Sequence, residues 1–183
     1  MFNHYREGLD IRALLAEANP LWILELGIGA CRNTQLLLEH APVLAVSDNL
    51  PIVTLPYQLW DGCWPLPSGL SFVQDISYLF LEGFPSFIYF AIVDTDHNSW
   101  TLSRELQALS PSMPRGSVVC VHDTEAFATT NGFAERYLNN ARYPSNAIHA
   151  DERPYTAALT DAPKLIEFKR STEFSGAVAL RRV

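Results

Sequence analysis

The arrangement of apolar residues along the chain constrains its fold more than any other feature. Short runs that are apolar at nearly every position alternate with stretches in which apolar residues recur at helical spacing. The runs predict strands at 21–26, 43–47, 70–75, 87–93 and 116–121. The spacing predicts helices at 9–18, 33–40, 98–109 and 126–141. Strands that are apolar on both faces and separated by helices are typical of a mostly parallel sheet covered on both sides.

Two further apolar segments, 165–169 and 176–181, are separated by a turn-length gap and are predicted to pair antiparallel. The predicted fold class is therefore α/β: a Rossmann-like, mostly parallel seven-stranded sheet with helices on both faces and a C-terminal antiparallel hairpin. A chain of 183 residues has the length of one domain. We expect a single domain over 1–183, with a short N-terminal helical segment at 1–20 and an insertion at 51–69 that is rich in Pro and Trp.

Composition excludes several classes of protein. Apolar residues make up 48% of the chain and charged residues 18%, which excludes a disordered chain. The net charge of −7 argues against a nucleic-acid-binding surface. Apolar runs fall short of the roughly 18 residues of a membrane span, and the first residues lack the apolar stretch of a signal peptide. Three cysteines without metal-binding spacing fit a reducing compartment, so we expect a cytoplasmic protein with no nucleic-acid or membrane partner.

A glycine-containing turn follows the first predicted strand. In the segment 25–29, Glu25 is followed by Gly27 and Gly29, which allow a sharp turn and close approach of the backbone to a ligand. The start of the next helix offers N–H groups to an anion or carboxylate. A dinucleotide-binding fingerprint would require a third glycine at position 32, where Arg32 stands. The turn by itself is a weak signal for a nucleotide-type ligand, and Arg32 disfavours NAD.

Acidic residues end the next two strands. Asp48 lies 21 residues beyond Gly27, near the position at which an acidic side chain accepts hydrogen bonds from ribose hydroxyls. Asp75 could accept a hydrogen bond from the amine of a base. Each also has a purely structural interpretation, as a turn or cap residue.

The densest group of polar residues follows the fourth and fifth strands. Asp94, Asp96 and His97 come after one strand, and His122 and Asp123 follow the next, 25 residues beyond His97. Because carboxyl ends of parallel strands share one edge of a sheet, we expect these side chains to lie close together. Such a cluster is costly unless a cation lies within it, and carboxylates suit Mg²⁺, Ca²⁺ or Mn²⁺ while imidazoles add a transition-metal option. The alternative is that the acids cap the two following helices.

Together these residues resemble the class I S-adenosylmethionine-dependent methyltransferases. The segment 25–29 resembles the first motif of that superfamily, and the terminal hairpin resembles its inserted antiparallel strand. Segments 93–97 and 121–124 resemble the small metal-dependent O-methyltransferases, such as the catechol, caffeoyl-CoA, macrolide-sugar and cephalosporin-biosynthesis enzymes.

The resemblance implies a cofactor site for S-adenosylmethionine. Gly27 and Gly29 would face its methionine part, Asp48 would hold its ribose, and Asp75 its adenine amine. The predicted cofactor-binding set is completed by Glu25, Asn33 and Asp96.

The resemblance also implies a divalent metal, with Mg²⁺ favoured. Asp94 and Asp123 would bind it, with His122 at a position where the family has an acidic ligand. His97 matches the general base of some sugar-modifying members, and His97 or Asp94 would remove a proton from an acceptor hydroxyl that the metal has acidified.

Three functions remain open at this point. The first is O-methylation of a hydroxyl on a small molecule, such as a sugar or natural-product intermediate, by a monomer or homodimer. The second is a non-catalytic cofactor-binding or scaffold protein of the same fold. The third is a metal-dependent hydrolase or hydroxylase that uses the acidic edge without S-adenosylmethionine.

Overall fold

The computed structural model describes residues 9–28, 32–46, 68–95, 97–126 and 153–183. These form one seven-stranded sheet with strands β1 (Ile23–Leu26), β2 (Val43–Val46), β3 (Leu70–Val73), β4 (Phe90–Val93), β5 (Val118–His122), β6 (Leu165–Ser171) and β7 (Ala177–Arg182). The helices are α1 (Ile11–Ala18), α2 (Arg32–Leu38), α3 (Ser77–Glu82), α4 (Ser99–Ser112) and a 3₁₀ helix (Tyr155–Thr160).

The strand order is β3-β2-β1-β4-β5-β7-β6. The first five strands in this order run parallel, and β7 lies antiparallel to both β5 and β6. The predicted mostly parallel sheet with a C-terminal antiparallel hairpin is therefore confirmed. The order reverses direction between β1 and β4, which is where ligands bind in sheets of this kind, outside the carboxyl ends of the strands. We call this side of the sheet the carboxyl edge.

Alternate residues of the central strands pack into two hydrophobic clusters. In β4, Phe90 and Ile92 join one cluster and Ala91 and Val93 the other. Successive strand residues point to opposite faces, so the sheet has a hydrophobic core on each side. The first cluster includes residues of α1 and α2, and the second includes residues of α4 and the 3₁₀ helix. Burial on both faces explains why β1, β4 and β5 have no exposed position.

Side-chain caps define the starts of two helices. The Asp10 carboxylate accepts a hydrogen bond from the Ala13 amide and caps α1. At α4 the Asn98 side chain accepts from the Thr101 amide at 2.9 Å. Because Asn98 caps α4, this role is not available to explain Asp94.

Two elements differ from the sequence predictions. Helix α3 was not predicted, since it is only six residues long and its apolar pattern is too short to recognise. The sequence predicted no helix or strand between residues 141 and 165, but this part of the chain contains the 3₁₀ helix, in which Tyr155, Ala158 and Leu159 are buried. These three apolar side chains pack into the core on the side of α4. Two predicted segments lie mostly outside the described residues: the insertion at 51–69, of which residues 68 and 69 are described, and the helix at 126–141, of which only Ala126 is described.

Within the described ranges, each helix is too short or too polar to cross a lipid bilayer.

Candidate functional site

Three titratable side chains meet at the carboxyl edge. Nε2 of His97 lies 3.2 Å from Oδ1 of Asp94 and 2.8 Å from Oδ2 of Asp123. Asp94 directly follows β4, Asp123 directly follows β5, and these two strands are neighbours in the sheet. The His97 side chain is buried, whereas about a quarter of each carboxylate side chain is exposed, 28% for Asp94 and 26% for Asp123. The group is therefore open to a ligand from the carboxylate side.

The carboxylates set the charge of His97. Burial by itself would lower the pKa of His97, but hydrogen bonds with Asp123 and Asp94 and their negative charges raise it to about 9. Burial would raise the pKa of Asp123, but the hydrogen bond and charge of His97, with help from Ser175, hold it below its ordinary value. The two acidic side chains thus favour the protonated form of the His97 imidazole.

The backbone is held in an uncommon conformation at two of these residues. His97 and Asp123 each have a φ of 56°, in the left-handed region. For residues other than glycine this conformation costs of order 1 kcal/mol. Such outliers tend to occur at functional sites, where the surrounding structure supports them.

Neighbouring side chains hold the two carboxylates in place. Nδ2 of Asn33 donates to Oδ2 of Asp94 at 3.2 Å, and the Ser175 hydroxyl hydrogen-bonds the Asp123 carboxylate. Ser175 lies in the turn between β6 and β7. Its carbonyl oxygen accepts from the amides of Glu125 and Ala126 at 2.8 and 2.9 Å, which fastens this turn to the segment after β5.

Glu25 is a fully buried carboxyl in β1. Its Oε2 accepts from the Thr34 hydroxyl at 2.6 Å, and its Oε1 has no hydrogen-bond partner among the described residues. Burial raises the pKa of Glu25 to about 8, and the hydrogen bond from Thr34 opposes this shift. A carboxyl with an unsatisfied buried oxygen can accept a donor from a ligand or a water molecule.

Gly27 lies at the end of β1, beside the segment that begins with Asp94. It has a φ of 76°, and a Cβ atom at this position would lie 2.1 Å from the Asp94 carbonyl oxygen. Close packing of two backbone segments therefore requires glycine here. This packing places the Asp94 backbone directly against the turn after β1.

A second buried carboxylate stabilises the carboxyl edge. Glu105, in α4, is fully buried and accepts hydrogen bonds from the Ser77 hydroxyl and from the Thr95 hydroxyl, the latter at 3.1 Å. It thus connects the start of α3 to the residue after Asp94. Asp75, by contrast, is exposed and accepts a hydrogen bond from the Ile76 amide at 2.8 Å, as a turn residue would.

The structure brings together several of the residues that the sequence singled out. Asp94, His97 and Asp123 offer ligand atoms within 4.8 Å of one another, and Asn33 contacts this group. His122 ends β5 and is buried near Glu25 and Asp123, but it is not part of that three-residue group. Its role as a ligand stays a prediction. Three residues of the predicted cofactor-binding set lie outside the described residues: Gly29, Asp48 and Asp96.

Sequence reasoning missed three residues that support the site. Glu105 could have been found, because it lies on the same helical face as Leu102, Leu106 and Leu109, where a charged residue is unusual. Thr34 and Ser175 carry no comparable signal, since their roles depend on contacts made only in the folded chain.

Comparison with known proteins bears on the fold. No protein-family model and no curated protein sequence matches the chain. Similar solved structures include a Podospora anserina methyltransferase bound to S-adenosylhomocysteine, with a TM-score of 0.64 and 12% identity over 93% of this chain and 75% of that one. A Bacillus cereus O-methyltransferase, also with S-adenosylhomocysteine, has a TM-score of 0.60 and 12% identity over 94% of this chain and 79% of that one.

The N-methyltransferase NodS from Bradyrhizobium japonicum, again with S-adenosylhomocysteine, has a TM-score of 0.58 and 13% identity over 94% of this chain and 83% of that one. The chain has the class I methyltransferase fold. The Asp94–His97–Asp123 group lies beside the point where the strand order reverses. With sequence identities this low, the structural similarity establishes the fold alone.

The residues present offer contacts for two groups: a cofactor of the kind bound in the similar solved structures, and a divalent ion. The unsatisfied Oε1 of Glu25, beside the reversal point, suits a cationic or N–H donor such as S-adenosylmethionine carries. The two carboxylates and the imidazole of the Asp94–His97–Asp123 group are a donor set for a divalent ion.

Proposed function

We propose that this protein is an S-adenosylmethionine-dependent methyltransferase that O-methylates a hydroxyl of a small molecule with the help of a divalent metal ion. One observation carries the proposal: the Asp94–His97–Asp123 group lies at the carboxyl edge of a class I methyltransferase fold, beside the point of strand reversal. Fold similarity supports the cofactor, and the donor set supports the metal.

The cofactor would bind along the carboxyl edge at β1. Glu25 offers a buried acceptor there, and Gly27 allows the turn after β1 to pack against the backbone of Asp94. This packing would bring the cofactor's methyl group close to the carboxylates. Our proposed contacts for the rest of the cofactor are Gly29, Asp48, Asp75 and Asp96.

The acceptor would bind next to the two carboxylates. A divalent ion bound there would lower the pKa of the acceptor hydroxyl and orient it toward the methyl group. Asp94 and Asp123 would hold the ion, and Asp94 would take up the released proton, as proposed from the sequence. Nε2 of His97 faces both carboxylates rather than open space, so its role as a general base has less support than a role within the group.

The acceptor class, location and assembly of the protein extend this proposal. We infer a hydroxylated acceptor, such as a sugar or natural-product intermediate, and a cytoplasmic protein. A homodimer is the assembly that we propose.

Cofactor binding is the first test. Thermal unfolding of the whole chain is followed with S-adenosylhomocysteine, in EDTA and with added Mg²⁺ or Mn²⁺. Ligand at about 100 times its dissociation constant adds roughly 2.7 kcal/mol, which raises Tm by several degrees. An unchanged Tm with S-adenosylhomocysteine would contradict the methyltransferase proposal, whereas a shift with metal alone would favour a hydrolase.

Methyl transfer to a panel of hydroxylated acceptors then tests the metal. Asp94→Asn should abolish turnover and leave S-adenosylhomocysteine binding nearly intact, because the carboxylate acts on the acceptor side. Glu173→Gln, at an exposed residue of the turn between β6 and β7, is the control and should retain activity. Full turnover of the wild type in EDTA would exclude the metal and leave methyl transfer standing.

A further inference from the structure

We propose that His97 is itself a metal ligand. Its Nε2, with one oxygen each from Asp94 and Asp123, forms a site with one nitrogen and two oxygens that takes a first-row transition-metal ion in preference to Mg²⁺. This inference deepens the proposed function, on whose metal ion it rests, and assigns to His97 the ligand role that the resemblance implied for His122. It does not depend on which acceptor is methylated.

The spacing of the three atoms fits one ion. Cis ligands that each lie about 2.1 Å from an octahedral ion are about 3.0 Å from each other. Nε2 of His97 lies 3.2 Å from the Asp94 oxygen and 2.8 Å from the Asp123 oxygen. The three ligand atoms all lie within 4.8 Å of one another, so a metal ion could bind with small shifts of these side chains.

Neighbouring side chains fix the orientation of all three proposed ligands. Asn33 binds the Asp94 oxygen that does not face His97, and Ser175 hydrogen-bonds the Asp123 carboxylate. The His97 ring packs edge to face against Tyr155, with ring centroids 5.6 Å apart. Outer contacts of this kind orient metal ligands and are a regular part of metal sites.

Two acidic side chains and one imidazole make a donor set that suits a divalent cation. The partly exposed carboxylates give the ion a path to enter. The rival explanation is an ion triad that only stabilises the fold, and it predicts no metal binding.

The nitrogen donor determines which metal is favoured. Mg²⁺ prefers oxygen ligands in a strict octahedral shell, whereas imidazole suits later first-row ions. Affinity for a site with nitrogen and oxygen donors rises from Mn²⁺ through Fe²⁺ to Co²⁺. We therefore expect Co²⁺ to bind at least about tenfold more tightly than Mg²⁺.

The test uses the full chain, stripped with a chelator, and metal ions alone as probes. Isothermal titration with Co²⁺ and competition by Mg²⁺ give the two affinities. Pulsed electron paramagnetic resonance of bound Mn²⁺ detects the coupling of a directly bound imidazole nitrogen. Both measurements are made on the wild type and on three variants, His97→Gln, His122→Gln and His40→Gln. His40 is an exposed histidine, so His40→Gln is the control.

We expect nitrogen coupling in the wild type and in His40→Gln and His122→Gln, and its loss in His97→Gln with at least about tenfold weaker Co²⁺ binding. Thermal unfolding of His97→Gln checks that it folds. Bound Mn²⁺ without nitrogen coupling in the wild type, or coupling lost only in His122→Gln, would overturn the inference and leave a metal-dependent enzyme. Failure of every ion to bind would overturn it in favour of the ion triad, and S-adenosylhomocysteine binding in EDTA would show whether the methyltransferase proposal survives.

Discussion

Glu25 shows how one residue can be costly for the fold and useful for a site. It is fully buried, its hydrogen bond from Thr34 satisfies only one oxygen, and burial raises its pKa from 4.5 to about 8. An unsatisfied buried carboxyl is retained in a fold only where something compensates for its cost. A ligand donor at Oε1 would be such a compensation.

The raised pKa of Glu25 makes stability depend on pH. Between pH 4.5 and about 8 the folded chain keeps a proton that the unfolded chain releases. The contribution of Glu25 to stability is therefore fully present below pH 4.5 and is lost as the pH rises through 8. Each tenfold change in proton affinity corresponds to about 1.4 kcal/mol, so the loss amounts to several kcal/mol.

Urea unfolding at pH 5, 7 and 9 measures this effect. Glu25→Gln should become steadily more stable relative to the wild type as the pH rises, and the exposed Glu173→Gln should show no such trend. A constant difference between Glu25→Gln and the wild type across this range would show that Glu25 is ionised in the folded chain.

A comparison of alanine substitutions at Gly27 and Gly116 distinguishes the cost of backbone strain from the cost of a steric clash. Both have a left-handed φ, 76° and 91°, but a Cβ at Gly27 would lie 2.1 Å from the Asp94 carbonyl oxygen while nothing lies within 4 Å at Gly116. Gly116→Ala should cost about 1 kcal/mol from strain alone. Gly27→Ala should cost at least about 2 kcal/mol more in urea unfolding, because the backbone beside Asp94 must move. Equal losses would mean that the two segments separate readily.

At the scale of elements, α4 links two segments at the carboxyl edge through hydrogen bonds to its buried side. Its first turn is capped by Asn98, directly after His97, and its buried face carries Glu105. Glu105 holds Ser77 at the start of α3 and Thr95 beside Asp94. One helix therefore connects the ends of β3 and β4, where the proposed adenine and metal contacts lie.

Removal of this connection should weaken both the fold and the site. Glu105→Ala leaves the hydroxyls of Ser77 and Thr95 without their carboxylate, so we expect a loss of about 2–4 kcal/mol in unfolding free energy. Gln107→Ala, on the exposed face of the same helix, is the matched control and should change stability by less than about 0.5 kcal/mol. A similar loss in both variants would assign the effect to the helix rather than to Glu105.

At the scale of the whole molecule, one sheet separates two hydrophobic cores. Successive residues of β4 alternate between the two cores, and in β7 Ala177 and Ala179 join one core while Val178 and Leu180 join the other. Since both cores share the strands, neither can be lost while the other remains intact.

We therefore expect one cooperative unfolding transition. Circular dichroism at 222 nm and tryptophan fluorescence should give coincident curves in urea, since Trp22 packs against Phe84 and Trp100 against Tyr78, in different parts of the chain. Separate transitions by the two probes would contradict a single domain.

The fold was largely predictable from the sequence. Buried parallel strands are apolar at nearly every position, and this pattern located the five parallel strands to within a few residues. The antiparallel β6 and β7 were located from two apolar segments with a turn-length gap between them. Short elements were the exception: α3 and the 3₁₀ helix have too few residues for a periodic pattern and are stabilised by packing on α4.

The candidate site was predictable in its position but not in its contacts. Parallel strands carry their final residues to one edge, so the sequence alone was enough to place Asp94 and Asp123 together. The choice of His97 over His122 as the partner of both carboxylates depends on the left-handed backbone at residue 97 and on side-chain direction. The contact between Ser175 and Asp123, 52 residues apart, exists only because the hairpin folds back beside β5, and no local pattern encodes such an approach.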